Sequence, residues 1–107
     1  MTGNDIFHQA IDKWGLQNQA DICIEEMSEL TKELIKNRRG KKNLDHIAEE
    51  IADVTITLQQ MIVGFKLYFQ VDQYIAEKME RLQRRINGEE IDIEHVGYDD
   101  DQCGRNK

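Results

Sequence analysis

The stretch "DHIAEEIADVTITLQQMIVGFKLYF", residues 45–69, carries a long unbroken periodic pattern, and its reading decides the fold. Ile47, Ile51, Val54, Leu58, Met61 and Phe65 recur at intervals of four and three, which is one apolar face of an α-helix. Ala52, Ile56, Val63 and Leu67 form a second stripe at helical spacing on the opposite face. A helix that is apolar on two sides is usually buried on two sides. With only three other helices in the chain, the second face most simply meets another subunit. Gly64 falls mid-helix, where it either weakens the helix or permits close packing.

Three further helices can be placed around this one. The first runs from about residue 5 to 14, with Ile6, Ala10 and Trp14 on one face and Gly15 ending it. The second covers about residues 18–38, with Cys23, Met27, Leu30 and Leu34 as its apolar stripe. Its last turn, "KNRR", is basic, and Gly40 supplies the stop. Asn43 or Asp45 then caps the third helix. The fourth spans about residues 71–87, with Val71, Ile75, Met79, Leu82 and Ile86 inward and Asn87-Gly88 closing it. The expected fold is all-α: an oligomeric four-helix bundle over residues 1–88, followed by an acidic tail, 89–107, loosely packed or disordered.

Composition agrees with helices. The chain has no proline and few aromatic residues, and a third of its 107 residues are charged. A chain this short builds a modest core, and association would help it. The net charge of −7 is uneven: residues 89–107 hold seven acids against Arg105 and Lys107, so the body is nearly balanced. Binding along a nucleic-acid backbone needs a basic surplus, and none is present. No apolar run reaches the ~20 residues that span a bilayer, and "MTGNDIFHQ" lacks the basic and apolar parts of a signal peptide. Cys23 and Cys103 belong to no metal or disulfide pattern. A reduced, cytoplasmic protein without membrane or nucleic-acid partners is the expectation.

Acids then stand out by position. "ICIEEMSEL" (22–30) carries Glu25, Glu26 and Glu29, and "IAEEIADV" (47–54) carries Glu49, Glu50 and Asp53. Residues three apart on a helix point within about 60° of each other, so Glu26/Glu29 and Glu50/Asp53 are two pairs. Each pair lies beside or just beyond an apolar stripe, whereas Glu49 points to solvent. If the two helices pack antiparallel, the pairs face one another, and four converging carboxylates need a divalent cation to neutralise them. Oxygen ligands without cysteine or a suitably spaced histidine suit Mg²⁺ or Mn²⁺, and such ions usually serve phosphorylated substrates. An isolated EExxE string is most often a solvated helix face; two of them flanking apolar stripes on consecutive helices are harder to explain that way.

On the fourth helix Tyr74, Lys78, Arg81 and Arg85 form a stripe at the edge of the apolar one. Beside an acidic metal cluster these cations would hold phosphate charge that the metal does not reach; alone they read as a solvated face paired with Glu77 or Glu80.

Together, ExxE at Glu26/Glu29 and ExxD at Glu50/Asp53, with the "WGLQNQ" lead-in and the later "AEKMERLQRR", resemble the MazG-like nucleoside triphosphate pyrophosphohydrolases. These are members of the all-α NTP pyrophosphatase superfamily, and the short phage and bacterial type is the nearest in form. The resemblance covers roughly residues 10–88. It implies a hydrolase that converts a (deoxy)nucleoside triphosphate to the monophosphate and pyrophosphate with Mg²⁺ or Mn²⁺, for nucleotide-pool control or house-cleaning. It also implies metal binding by Glu26, Glu29, Glu50 and Asp53, with Glu25 as a further ligand or as the group that orients or deprotonates water. Lys78, Arg81 and Arg85 would hold the phosphates. Gln19 and Trp14 are candidates for base or sugar contact, and Trp14 is equally a core residue. Members of the family form homodimers or homotetramers.

Two other classes are worth setting beside this one. A carboxylate-bridged di-iron bundle needs Glu-x-x-His, and the third residues after Glu26 and Glu50 are Glu29 and Asp53. A non-catalytic helical dimer, regulatory or for assembly, would carry the same acids facing solvent.

Overall fold

A computed structural model describes residues 3–89. Among these residues the regular structure is four α-helices with no strand: α1 Gly3–Trp14, α2 Leu16–Arg38, α3 Leu44–Phe65 and α4 Tyr68–Ile86. None of them is long and apolar enough to cross a membrane. The expected tail from residue 90 onward, with Cys103, lies outside the described residues. The chain divides into two compact units, one ending at Tyr68 and one beginning at Phe69.

In the first unit α2 and α3 are the main packing partners, and α1 packs on both. Helix starts and stops follow local chemistry. Gly15 takes φ 89°, which breaks the chain's helical path for a single residue before α2 resumes at Leu16. At the end of α2, Gly40 sits at φ 105°; its N–H donates to the Asn37 carbonyl at 2.9 Å and the Lys41 N–H to the Lys36 carbonyl at 3.1 Å. This paired closure is the Schellman arrangement expected of a glycine stop.

The third helix ends four residues earlier than its apolar pattern predicts. Lys66 takes the left-handed conformation, φ 59° and ψ 51°, and the Leu67 N–H donates to the Ile62 carbonyl at 2.9 Å. Lys66 holds this conformation despite a Cβ cost that glycine avoids, so the stop carries no glycine signal. Gly64 has a different task. A Cβ built on it would overlap Leu16 Cδ1 and stand 3.2 Å from Ile11 Cδ1, so the missing side chain lets the start of α2 and the end of α1 close on α3.

The buried faces are not the most apolar ones. The half-buried and buried positions facing α2 are the N-cap residue Asn43 and, on α3, Ile47, Glu50, Val54, Thr57, Gln60 and Met61, whereas Ile51, Leu58 and Phe65 are about half exposed. At 100° per residue this rotates the seam roughly 50° toward the acids from the predicted stripe. On α2 the inward positions are Gln19, Cys23, Glu26, Leu30 and Glu33, while Met27 and Leu34 are exposed. On α1, Phe7 and Ile11 are half-buried, and Ile6 and Trp14 are exposed. Among the described apolar residues only Cys23 and Val63 are buried.

The second unit is described through Glu89. Within α4, Arg84 pairs with Glu80 at 3.6 Å, one helical turn away. Gly88, at φ 74°, closes the helix with the Glu89 N–H on the Arg84 carbonyl at 2.9 Å. Val71 is half-buried, and Ile75, Met79, Leu82 and Ile86 are exposed.

The close approach at Gly64 gives a test. Adding a methyl there gains about 1 kcal/mol of helix propensity but overpacks against Leu16 at about 1–3 kcal/mol. Gly64→Ala should therefore be neutral to destabilising with Leu16 in place, and stabilising by about 1 kcal/mol once Leu16→Ala has cleared the space. Urea unfolding of the double-mutant cycle measures this; additive effects would contradict the contact.

Candidate metal centre

Glu26 on α2 and Glu50 and Asp53 on α3 each place a carboxylate oxygen within 4.8 Å of the other two. All three side chains are half-buried. Glu26 and Glu50 meet because both stand in the α2–α3 seam, and Asp53 joins one turn further along α3. The second acidic string thus supplies two members of the cluster and the first supplies one.

Crowding of like charges shows at Glu50. Burial first, then proton sharing and repulsion with Glu26, then the charges of Asp53 and Glu29, raise its pKa above the ordinary glutamate value of 4.5. Its Oε1 is buried and has no hydrogen-bond donor. An acceptor oxygen without a partner, beside two more carboxylates, is a poor arrangement for an empty fold and a suitable one for a hard divalent cation. The donor set is oxygen only, which fits Mg²⁺ or Mn²⁺.

Glu29 lies outside the triad. It points about 60° around α2 from Glu26, is half exposed, and pairs with Lys32 at 3.3 Å. Glu25 is exposed on the same flank, where Ile24, Glu25, Glu26, Ser28 and Glu29 line an open depression. Glu26 therefore borders both this depression and the seam, and Glu25 and Glu29 are its neighbours on the open side.

The remaining candidates fall elsewhere. Gln19 is 5% exposed in the seam, and its Nε2 donates to Gln60 Oε1 at 2.6 Å. Trp14 ends α1 at 56% exposure, lining a shallow surface depression with Ile6, Gln9, Ala10 and Lys13; the Lys13 ammonium stands 5.6 Å from its ring centre. Lys78, Arg81 and Arg85 belong to α4 in the second unit; Lys78 is exposed and the two arginines are half-buried.

Asn43, expected from sequence as a helix cap, has a different role, and Glu33 is its partner. Asn43, 3% exposed, occupies the N-cap position of α3 but makes no capping bond there. Its Nδ2 reaches back to Glu33, to the carbonyl at 3.0 Å and to Oε1 at 2.6 Å, and Asn37 Nδ2 donates to its Oδ1 at 3.3 Å. The Asn43 bond, with Lys36 at 3.3 Å and the His46 charge, holds the Glu33 carboxyl below its usual range against the opposing effect of burial. The signal was present in the spacing: Gln19, Glu26 and Glu33 are heptad repeats, as are Asn43, Glu50 and Thr57.

A carboxyl whose folded pKa is raised contributes stability below its unfolded pKa and loses it as pH rises through the folded value. In the metal-free protein Glu50→Gln should therefore melt higher than the parent at pH 7, and the gap should close below about pH 4.5, the unperturbed value. Circular-dichroism melts in chelator at both pH values decide this, and no gain at pH 7 would contradict the crowded-carboxylate picture. Comparison of the chain with protein-family models, curated proteins and solved structures returns no match.

Proposed function

We propose that the chain is a metal-dependent hydrolase that cleaves a (deoxy)nucleoside triphosphate to the monophosphate and pyrophosphate. This is the activity of the MazG-like pyrophosphohydrolases, whose ExxE and ExxD pair Glu26/Glu29 and Glu50/Asp53 resemble. One observation carries the reading: three carboxylates from two helices converge within 4.8 Å, and one buried oxygen among them has no donor.

In this reading Glu26, Glu50 and Asp53 hold Mg²⁺ or Mn²⁺, and Glu29 completes the set by exchanging its exposed pairing with Lys32. A cation bound there neutralises charge on phosphate oxygens and lowers the pKa of water. Glu25, on the open flank of α2, orients or deprotonates the water. Lys78, Arg81 and Arg85 hold phosphate charge, with the planar guanidinium groups suited to two-point contact. The exposed indole of Trp14 offers a face for stacking on a base.

The same reading includes a homo-oligomer. Ile51, Ile56, Leu58 and Phe65 on α3 and Ile24 on α2 are about half exposed or more, and no large side chain of the described residues is fully buried. A unit of this size leaves little margin without further burial of apolar surface. A non-catalytic helical dimer would use that surface equally, so activity separates the two.

Purified protein should release pyrophosphate from at least one member of a (d)NTP panel with Mg²⁺ or Mn²⁺, and chelator should abolish the release. Glu50→Gln and Asp53→Asn should each lower turnover at least about a hundredfold, ~3 kcal/mol of barrier, with helical content retained. Near-parental turnover in either variant contradicts the site, and an inert parent across the panel favours the assembly protein. Light scattering should give a mass of two or more 12.6 kDa chains; a stable monomer at micromolar concentration contradicts the oligomer.

A further inference from the structure

The acidic cluster sits midway along a seam whose two ends are tied by buried amides. On one side of Glu26 the Gln19 Nε2 donates to Gln60 Oε1 at 2.6 Å; on the other the Asn43 Nδ2 donates to Glu33 Oε1, also at 2.6 Å. Gln19, Gln60 and Asn43 are all at least nine-tenths buried. Gln19 and Glu33 each lie seven residues from Glu26, about 10 Å along the helix. Asn43 likewise lies seven residues from Glu50. The seam therefore reads, in antiparallel order, amide pair, carboxylate cluster, amide–carboxylate pair.

These polar links are poor devices for stability. Gln19 Oε1 is buried without a donor, and an apolar pair of similar volume in its place would be neutral or stabilising. Buried polar contacts between helices have a better-attested use, which is to fix register. Register matters here more than elsewhere in the fold. Sliding α2 by one residue rise along α3 moves Glu26 by about 1.5 Å, whereas ligand oxygens have to sit within a few tenths of an ångström of their places. Moreover, an empty cluster of like charges favours sliding or splaying, so something has to oppose it.

We infer that the Gln19–Gln60 and Asn43–Glu33 pairs are positioning residues that lock the α2–α3 register and so preorganise Glu26, Glu50 and Asp53 for a divalent cation. The inference rests on the metal-site reading above. Both pairs lie about two helical turns along the seam from the carboxylate cluster. Their effect is exerted through the helix backbones.

The test uses the full chain and Mn²⁺ alone as probe, with free Mn²⁺ followed by electron paramagnetic resonance and stability by thermal melts. In Gln19→Leu/Gln60→Leu the expected result is a melting temperature equal to or above the parent's, with Mn²⁺ affinity lower by about tenfold or more, as for other supporting contacts of metal ligands. Leu16→Ala, which loosens packing at Gly64, should melt lower yet bind Mn²⁺ within twofold of the parent. Loss of affinity without loss of stability is a result that a merely structural role does not produce. Should the leucine pair fail to fold, Asn43→Ala replaces it under the same criterion: affinity must fall well beyond that of a Leu16→Ala control. If the chosen variant binds Mn²⁺ as the parent does, the register role is overturned while the metal site stands. If the parent itself takes up no Mn²⁺, the metal-site reading fails and the inference falls with it.

Discussion

Repulsion between Glu26 and Glu50 across the α2–α3 seam is the constraint around which the first unit is arranged. Two helices that pack by burying apolar surface gain most by turning their greasiest stripes toward each other. Here they do not: α3 turns Glu50 and Thr57 inward and leaves Ile51 and Leu58 half exposed. The rotation has a cost in stability, since it removes apolar burial and confines like charges together. The pattern fits the proposed site, whose carboxylates are brought together at the expense of apolar burial. The Gln19–Gln60 and Asn43–Glu33 bonds at either end of the seam fit that view, because they join the same two helices by directional contacts rather than by apolar burial.

The rotation also explains where the apolar surface went. The stripe through Ile51, Leu58 and Phe65 is left about half exposed; in the second unit, Ile75, Met79, Leu82 and Ile86 of α4 are exposed independently of it. Cys23 and Val63 are a small buried apolar inventory for a unit of this length. Site and association are in this sense one problem: burying the acids within the chain pushes the hydrocarbon to its outside, where a second copy would cover it. Close packing at Gly64 against Leu16 and Ile11 then does inside the unit some of the work that large buried side chains do elsewhere.

Much of this was legible in the residues. Glycine and basic last-turn signals placed the ends of α2 and α4, and the paired acids pointed to Glu26, Glu50 and Asp53. What sequence misread was orientation. Hydrophobic periodicity reports where apolar residues are, so it centred the α3 seam on Ile47, Ile51 and Leu58 and put Glu50 at its edge. Periodicity carries no term for a polar residue that is buried with a partner, and Asn43, Gln19 and Gln60 each have one. The heptad spacing of Gln19, Glu26 and Glu33 was the available clue. Glu29 separates from the cluster for a simpler reason: a 60° step around α2 takes it into solvent, where Lys32 meets it. The end of α3 at Lys66 had no signal, because a lysine holds the conformation that glycine usually marks.

The central claim is that the crowded carboxylates are relieved by a divalent cation. The most direct measurement is the melting temperature of the chelator-treated protein at pH 7 as Mn²⁺ is added back. A site of this kind gives an upward shift that grows with the logarithm of Mn²⁺ concentration above its dissociation constant, and the shift disappears in Glu50→Gln. A melting temperature that ignores Mn²⁺, or one that rises equally in Glu50→Gln, would contradict the account.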